Sequence, residues 1–202
     1  GEITMGKVLE ALPFGHSVAT FSLKGADLLA SLENGVSRAE NIDNGNTGRF
    51  PQVAGMRYSW DASKPVGARI VSAEVAGADG EYHPLDPKAV YKIAVDDFLR
   101  RGGDGYTLFA DNAIDPYDFG PVQDEVLANY IVEHSPIHAQ IEGRITRVDT
   151  LPESNQAQDT LTASPATMPV TGAASGLPVI IITLMTVAGL AALESLRPRR
   201  SR

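Results

Sequence analysis

Three side chains that are far apart in the chain could together bind a flat ligand that carries a ribose: Phe14, Phe98 and Asp104. Phe14 follows a predicted helix that ends at Pro13, and Phe98 follows a predicted strand. Two aromatic rings can hold a purine between their faces, and such stacking contributes roughly 1–3 kcal/mol per base. A carboxylate can accept charge-assisted hydrogen bonds from both ribose hydroxyls. We interpret the three residues as a nucleoside clamp, which requires the two rings to face each other.

The glycines beside Asp104 allow this interpretation and a simpler one. Gly102 and Gly103 would let the backbone come close to a ligand, since glycine lacks a side chain. A lone phenylalanine, however, is usually a core residue, and a Gly-Gly-Asp-Gly segment is usually only a turn. The residues by themselves leave both interpretations open.

Other catalytic chemistry finds little support in the sequence. The chain has no cysteine. Of its four histidines, only His134 and His138 have the i,i+4 spacing of helical metal ligands, and Pro136 between them breaks a helix. No Gly-x-Ser-x-Gly nucleophile motif is present. We therefore predict neither a metal site nor a catalytic residue in this chain.

The elements that must position the clamp form one predicted domain, residues 1–148. Apolar residues at helical spacing alternate irregularly with strand-like segments. This mixture indicates an α+β domain with a mixed sheet and flanking helices rather than a doubly wound parallel sheet. The predicted helices are 4–12, 26–37 and 121–134, and the predicted strands are 17–24, 56–60, 69–75, 90–95 and 141–148.

The charge of the chain limits the class of ligand. The formal net charge is -8 at pH 7, and such an acidic chain repels a phosphate polymer. We therefore exclude nucleic acid polymers as partners, while a small nucleotide in a local pocket remains compatible.

The composition changes after the predicted domain. Residues 149–167 are rich in Ser, Thr, Ala, Pro, Gln and Asp without an apolar face, which is typical of a flexible, disordered linker. Met168-Pro169-Val170-Thr171-Gly172 follows, and residues 177–193 are uncharged. An apolar run of this length lies at the short limit for a membrane-spanning helix, and the arginine-rich end beyond it should stay on the cytoplasmic side. We predict one hydrophobic C-terminal helix in residues 168–202.

This C-terminal arrangement resembles a Gram-positive sorting signal, whose pattern is Leu-Pro-x-Thr-Gly, an apolar helix and a basic tail. Met168 stands where the pattern has leucine. The resemblance implies transient membrane insertion, cleavage by a sortase between Thr171 and Gly172, and transfer of Thr171 to peptidoglycan at the cell surface. An ordinary single-span anchor is the alternative.

The predicted domain resembles the C-terminal domain of 5'-nucleotidases. Leu12-Pro13-Phe14-Gly15 and the segment from Asp97 to Gly105 are similar to that family's two signature segments, and residues 23–29, 48–55 and 141–145 add further likeness. The resemblance implies that Phe14 and Phe98 sandwich the base and that Asp104 binds the ribose. It also implies that the Gly102-Gly103 turn positions Asp104. Arg100 and Arg101 receive no role, and we interpret them as solvated charges.

The same resemblance implies an upstream metallophosphatase domain, which would supply two divalent metal ions and a catalytic histidine. The whole protein would hydrolyse nucleotides to nucleoside and phosphate, and this chain alone would be inactive. Two alternatives stay open: a non-catalytic, wall-anchored nucleoside-binding or adhesion module, and a related cyclic-nucleotide phosphodiesterase or sugar-nucleotide hydrolase.

Overall fold

Five helices and nine strands make up the part of the chain that the computed structural model describes, residues 1–39, 48–149 and 179–184. The helices are α1 (Met5–Ala11), α2 (Gly25–Val36), α3 (Asp97–Arg100), α4 (Thr107–Asp111) and α5 (Gln123–His134). The strands are β1 (Val18–Lys24), β2 (Pro51–Ala54), β3 (Met56–Trp60), β4 (Ile70–Ala76), β5 (Tyr82–Pro84), β6 (Val90–Asp96), β7 (Ile114–Tyr117), β8 (Ile145–Arg147) and β9 (Val179–Leu184). A 3-10 turn over Gly103–Gly105 lies between α3 and α4.

The first sheet has five strands in the order β2-β9-β6-β1-β7. Its centre is the antiparallel pair β1 and β6, which runs in continuous register from Val18 opposite Asp96 to Lys24 opposite Val90. Side chains of β1 alternate between the two faces of the sheet, and Phe21 and Leu23 point into the core. This alternation is the period-2 pattern from which the strand was predicted.

The second sheet has four strands in the order β5-β4-β3-β8. Its first three strands are antiparallel, and β8 pairs in parallel with β3 at the edge. Helix α2 contacts strands of both sheets, because Leu28, Leu32 and Val36 form one fully buried stripe along it. The two sheets and α2 therefore share one continuous core.

The α+β class and the mixed sheet are confirmed, with two differences in detail. The strands form two sheets rather than one. The predicted strand 141–148 is only three residues long, Ile145–Arg147. Ile141 is almost fully exposed. The alternation of apolar and polar residues before Ile145 therefore does not reflect a strand with one buried face.

The apolar C-terminal run differs from its prediction where the structure describes it. Residues 179–184 form strand β9 between β2 and β6 instead of part of a helix. A short apolar run rich in β-branched residues fits either element by periodicity, and here the backbone groups of β2 and β6 pair with it. In the described ranges, no helix has the length and hydropathy needed to cross a membrane. The motif Met168 to Gly172, nearly all of the predicted linker and the rest of the tail lie outside those ranges.

Candidate functional site

The register of the central strand pair brings the two aromatic segments together. Val18 at the start of β1 lies opposite Asp96 at the end of β6. The residues just before β1 and just after β6 therefore meet at one edge of the sheet. The amide of Asp97 donates to the carbonyl of Ser17 over 2.9 Å and extends the pairing past the strands. Phe98 is the next residue.

The ring of His16 lies near both the Phe14 ring and the Phe98 ring at this edge. The centroid of the His16 ring is 5.7 Å from that of Phe14 and 5.7 Å from that of Phe98. The His16 and Phe98 rings are stacked with 25° between their planes. Phe14 is 62% exposed and Phe98 is 44% exposed, so a ligand can reach both phenylalanine rings.

These rings line a cleft that also contains a carboxylate. The cleft has a volume of about 390 Å³, and its walls include Phe14, His16, Phe98, Asp104 and Gln123. Ligand pockets commonly measure roughly 300–1,000 Å³, so the cleft is large enough for a small molecule. A neighbouring cleft shares His16 and Phe98 with it.

Two adjacent carboxylates hold the Phe98 segment in place. Asp96 is buried and caps α3, because its Oδ1 accepts a hydrogen bond of 2.7 Å from the amide of Leu99. Burial raises the pKa of the Asp96 carboxyl above its ordinary value. The Oδ1 of Asp97 lies 3.1 Å from Nδ1 of His16, and its Oδ2 lies 3.5 Å from Arg101. Asp97 therefore ties the loop that carries Phe14 to the helix that carries Phe98.

The two positions after α3, Gly102 and Gly103, require glycine for different structural reasons. Gly102 ends α3 with a φ of 91°, a left-handed conformation that favours glycine. Gly103 lies directly against the Phe98 ring, and a Cβ built on it would be 2.4 Å from the nearest ring carbon. Gly103 thus leaves room for Phe98 in the cleft wall. Both glycines line the neighbouring cleft.

Asp104 lies in a strained turn that hydrogen bonds of Tyr106 and Asn34 hold in place. Its φ is 51°, which is uncommon for a residue with a side chain. Tyr106 fixes the end of the turn, because it is almost fully buried and donates from its hydroxyl to the carbonyl of Arg49 over 2.7 Å. Burial also raises the pKa of the Tyr106 hydroxyl, so it remains a neutral donor. Asn34 donates to the carbonyl of Asp104 over 3.2 Å.

The structure brings Phe14, Phe98 and Asp104 to the walls of one cleft, and places Gly102 and Gly103 beside it. His16 and Asn34 were not among the residues predicted to form the site. His16 is only two residues after Phe14, which was an available signal, whereas nothing local connects Asn34 with residue 104.

The prediction that Arg100 and Arg101 are both solvated charges is wrong for Arg100. Arg101 is exposed, as a solvated charge should be, but Arg100 is buried. Its Nη1 donates to the carbonyl of Phe109 over 2.8 Å, and its guanidinium lies over the Phe21 ring at 5.6 Å. Arg100 therefore joins α3 to the core. Its Nε also lies 3.4 Å from Oδ1 of Asp118. Its sequence neighbours gave no sign of this burial.

Among residues 1–39, 48–149 and 179–184, no three histidine, aspartate or glutamate side chains converge closely enough to hold a metal ion.

Comparison with protein families gives a match over the part of the chain that contains Phe14, Phe98 and Asp104. The model of the 5'-nucleotidase C-terminal domain matches residues 1–111. The apyrase of Tabanus yao is 37% identical over 72% of this chain and 26% of its own length. Human 5'-nucleotidase is 33% identical over 72% of this chain and 25% of its own length. The trifunctional nucleotide phosphoesterase protein YfkN of Bacillus subtilis is 32% identical over 73% of this chain and 10% of its own length.

Solved structures share the fold. The 5'-nucleotidase precursor of Thermus thermophilus has a TM-score of 0.69 at 42% identity, over 74% of this chain and 28% of that one. The NAD nucleotidase of Haemophilus influenzae has a TM-score of 0.58 at 25% identity, over 73% of this chain and 25% of that one. The chain thus spans about a quarter or less of the length of these relatives.

Proposed function

We propose that this chain, which belongs to the family of 5'-nucleotidase C-terminal domains, binds the nucleoside part of a nucleotide within a longer hydrolase. Phe14 and Phe98 would stack on the two faces of the base, and Asp104 would accept hydrogen bonds from the ribose hydroxyls. The phosphate ester would be hydrolysed by a metallophosphatase domain outside this chain, with two divalent metal ions as its cofactors. This chain would then select the substrate without performing the chemical step.

One observation carries the proposal: two exposed phenylalanine side chains and a carboxylate line the same cleft, although Phe14 and Asp104 are far apart in sequence. Burial of Phe14 and Phe98 would have indicated a structural role, and both rings are instead open to solvent. Their exposure lets a flat base replace water on apolar faces, which favours binding.

Binding is tested by titrating adenosine into the 202-residue chain in a calorimeter. We expect saturable binding at one site, and we expect inosine and cytidine to bind as well, because stacking tolerates different bases. Absence of binding by every nucleoside at millimolar concentration would refute the proposed role of the cleft.

The division of labour is tested by measuring phosphate release from AMP. We expect no turnover by this chain with or without Mg²⁺, Mn²⁺ or Zn²⁺. A longer form of the protein that includes a metallophosphatase domain should release phosphate, and a chelator should stop the release. Metal-dependent turnover by the 202-residue chain alone would contradict the assignment.

We also propose that residues 168–202 attach the protein to a Gram-positive cell wall. The support is the order of Met168-Pro169-Val170-Thr171-Gly172, an uncharged apolar run and an arginine-rich end. The apolar run would hold the exported chain in the membrane until a sortase cleaved after Thr171. Cleavage there would remove residues 179–184, and β2 and β6 would lose the strand between them.

Wall attachment is tested by incubating the chain with a sortase and a triglycine acceptor. Mass spectrometry should show loss of residues 172–202 and addition of triglycine to Thr171. The Thr171→Ala variant should remain uncleaved, while Thr167→Ala, a control outside the motif, should react normally. Equal reaction of the two variants, or no reaction of the unaltered chain with any sortase class, would refute wall attachment.

A further inference from the structure

We infer that Asn34 is a positioning residue for Asp104, and that it thereby sets how strongly the cleft prefers a ribonucleoside to a nucleoside without ribose hydroxyls. This inference rests on the proposed function. It concerns a residue of α2 that is 70 positions away from Asp104 in sequence.

Asn34 joins the end of α2 to the turn that carries Asp104. Its Nδ2 lies 3.2 Å from the carbonyl oxygen of Asp104. Its Oδ1 accepts a hydrogen bond of 2.9 Å from Nη1 of Arg49. The Asn34 side chain therefore bridges the Arg49 guanidinium and the backbone of the turn.

Arg49 decides which way the amide of Asn34 points. A guanidinium has only donors, so the amide oxygen must face Arg49 and the amide NH₂ group must face the Asp104 carbonyl. The backbone of Arg49 is itself held in place, since its carbonyl accepts a hydrogen bond from the hydroxyl of the buried Tyr106. Asn34 is thus preset as a donor to the turn.

The turn needs such a restraint because its backbone is strained. Asp104 has a φ of 51° and Gly105 a φ of 83°, and a left-handed conformation is uncommon for a residue with a side chain. A Cβ on Gly105 would lie 2.8 Å from Oδ1 of Asn34, so the turn packs closely against the amide. Loss of the Asn34 donor frees the turn to relax, and the Asp104 carboxylate then moves away from the ribose position.

The chemistry predicts a selective effect. Asn34 lies outside the residues that line the two clefts, so its removal leaves both stacking faces unchanged. Affinity for 2',3'-dideoxyadenosine, which lacks both ribose hydroxyls, should not change. Affinity for adenosine should fall, because only adenosine uses Asp104.

The experiment measures the dissociation constants of adenosine and 2',3'-dideoxyadenosine for the 202-residue chain and three variants. The unaltered chain should prefer adenosine, and Asp104→Ala should abolish this preference. Asn34→Ala should lower the preference for adenosine over 2',3'-dideoxyadenosine by about tenfold. The reason is that the ribose hydroxyls lose their hydrogen bonds to the charged Asp104 carboxylate when the turn relaxes. Asn34→Asp keeps the shape and the Arg49 contact but lacks the donor, so it should lower the preference at least as much.

Each outcome decides between hypotheses. A selective loss in both Asn34 variants supports the positioning role. An unchanged preference overturns it, and so does an equal loss of affinity for both nucleosides, which indicates general damage to the fold. If the unaltered chain binds neither nucleoside, the proposed function itself fails. If Asp104→Ala keeps the preference, the ribose contact fails while base stacking survives.

Discussion

Adding one methyl group at Gly103 should disable the clamp without removing any group that we expect to touch the ligand. A Cβ at this position would lie 2.4, 2.5 and 2.6 Å from three carbons of the Phe98 ring. Ordinary van der Waals separation between carbons is about 3.5–4.0 Å. In the Gly103→Ala variant, the Phe98 ring must therefore move by about 1 Å or more.

The fold should tolerate this movement. Phe98 is 44% exposed, so its ring can turn toward solvent instead of straining the core. A displaced ring no longer stacks on the base, and the loss should approach that of Phe98→Ala, about 1–3 kcal/mol. This corresponds to a roughly 5- to 150-fold weaker affinity for adenosine.

The assay is calorimetric titration of adenosine, with urea unfolding to check stability. Gly6→Ala is the matched control, because it adds the same methyl group in helix α1, where the nearest other atom is 3.7 Å away. This control should bind adenosine normally and should be slightly more stable, since alanine favours helix. If Gly103→Ala binds adenosine as tightly as the control, Phe98 does not form one wall of the base site.

Two further changes test the packing around the cleft. Phe109 is fully buried against Phe21 and Tyr106, so Phe109→Ala should lower the free energy of unfolding by about 3–5 kcal/mol; a loss below about 1 kcal/mol in urea unfolding would contradict this packing. Asp96→Asn should remove a pH dependence. Because burial raises the pKa of Asp96, the folded chain holds this proton more tightly than the unfolded chain. Its contribution to stability therefore falls as pH rises from the ordinary carboxyl pKa to the raised value, and is constant above it. The Asp96→Asn variant keeps an oxygen that accepts from the Leu99 amide. The free energy of unfolding of the unaltered chain, minus that of the variant, should therefore fall as the pH is raised from 3 to 7. A difference that does not change with pH would contradict the prediction.

Local patterns predicted the elements that carry the clamp. The alternation in β1, the apolar stripe in α2 and the turn residues after β6 all follow from short stretches of sequence. The signature segments around Phe14 and Phe98 then indicated two loops that line the cleft. Each of these features depends only on residues that are close together in the chain, so it can be predicted from the sequence alone.

Features that depend on pairing between distant residues were not predictable in the same way. The contact of Asn34 with Asp104 and the burial of Arg100 depend on how α2, α3 and α4 pack. The division into two sheets depends on the parallel pairing of β8 with β3. Strand β9 shows the same limit, because an apolar run of six residues fits a strand or a helix until its neighbours are known.

The proposed binding mode requires the rings of Phe14 and Phe98 to hold a base between them. The most direct test is a nuclear Overhauser spectrum of the chain with adenosine bound, with the aromatic protons of the two phenylalanines assigned. We expect contacts from adenine H2 or H8 to the rings of both Phe14 and Phe98. Contacts to only one ring, or to residues away from this cleft, would contradict the clamp.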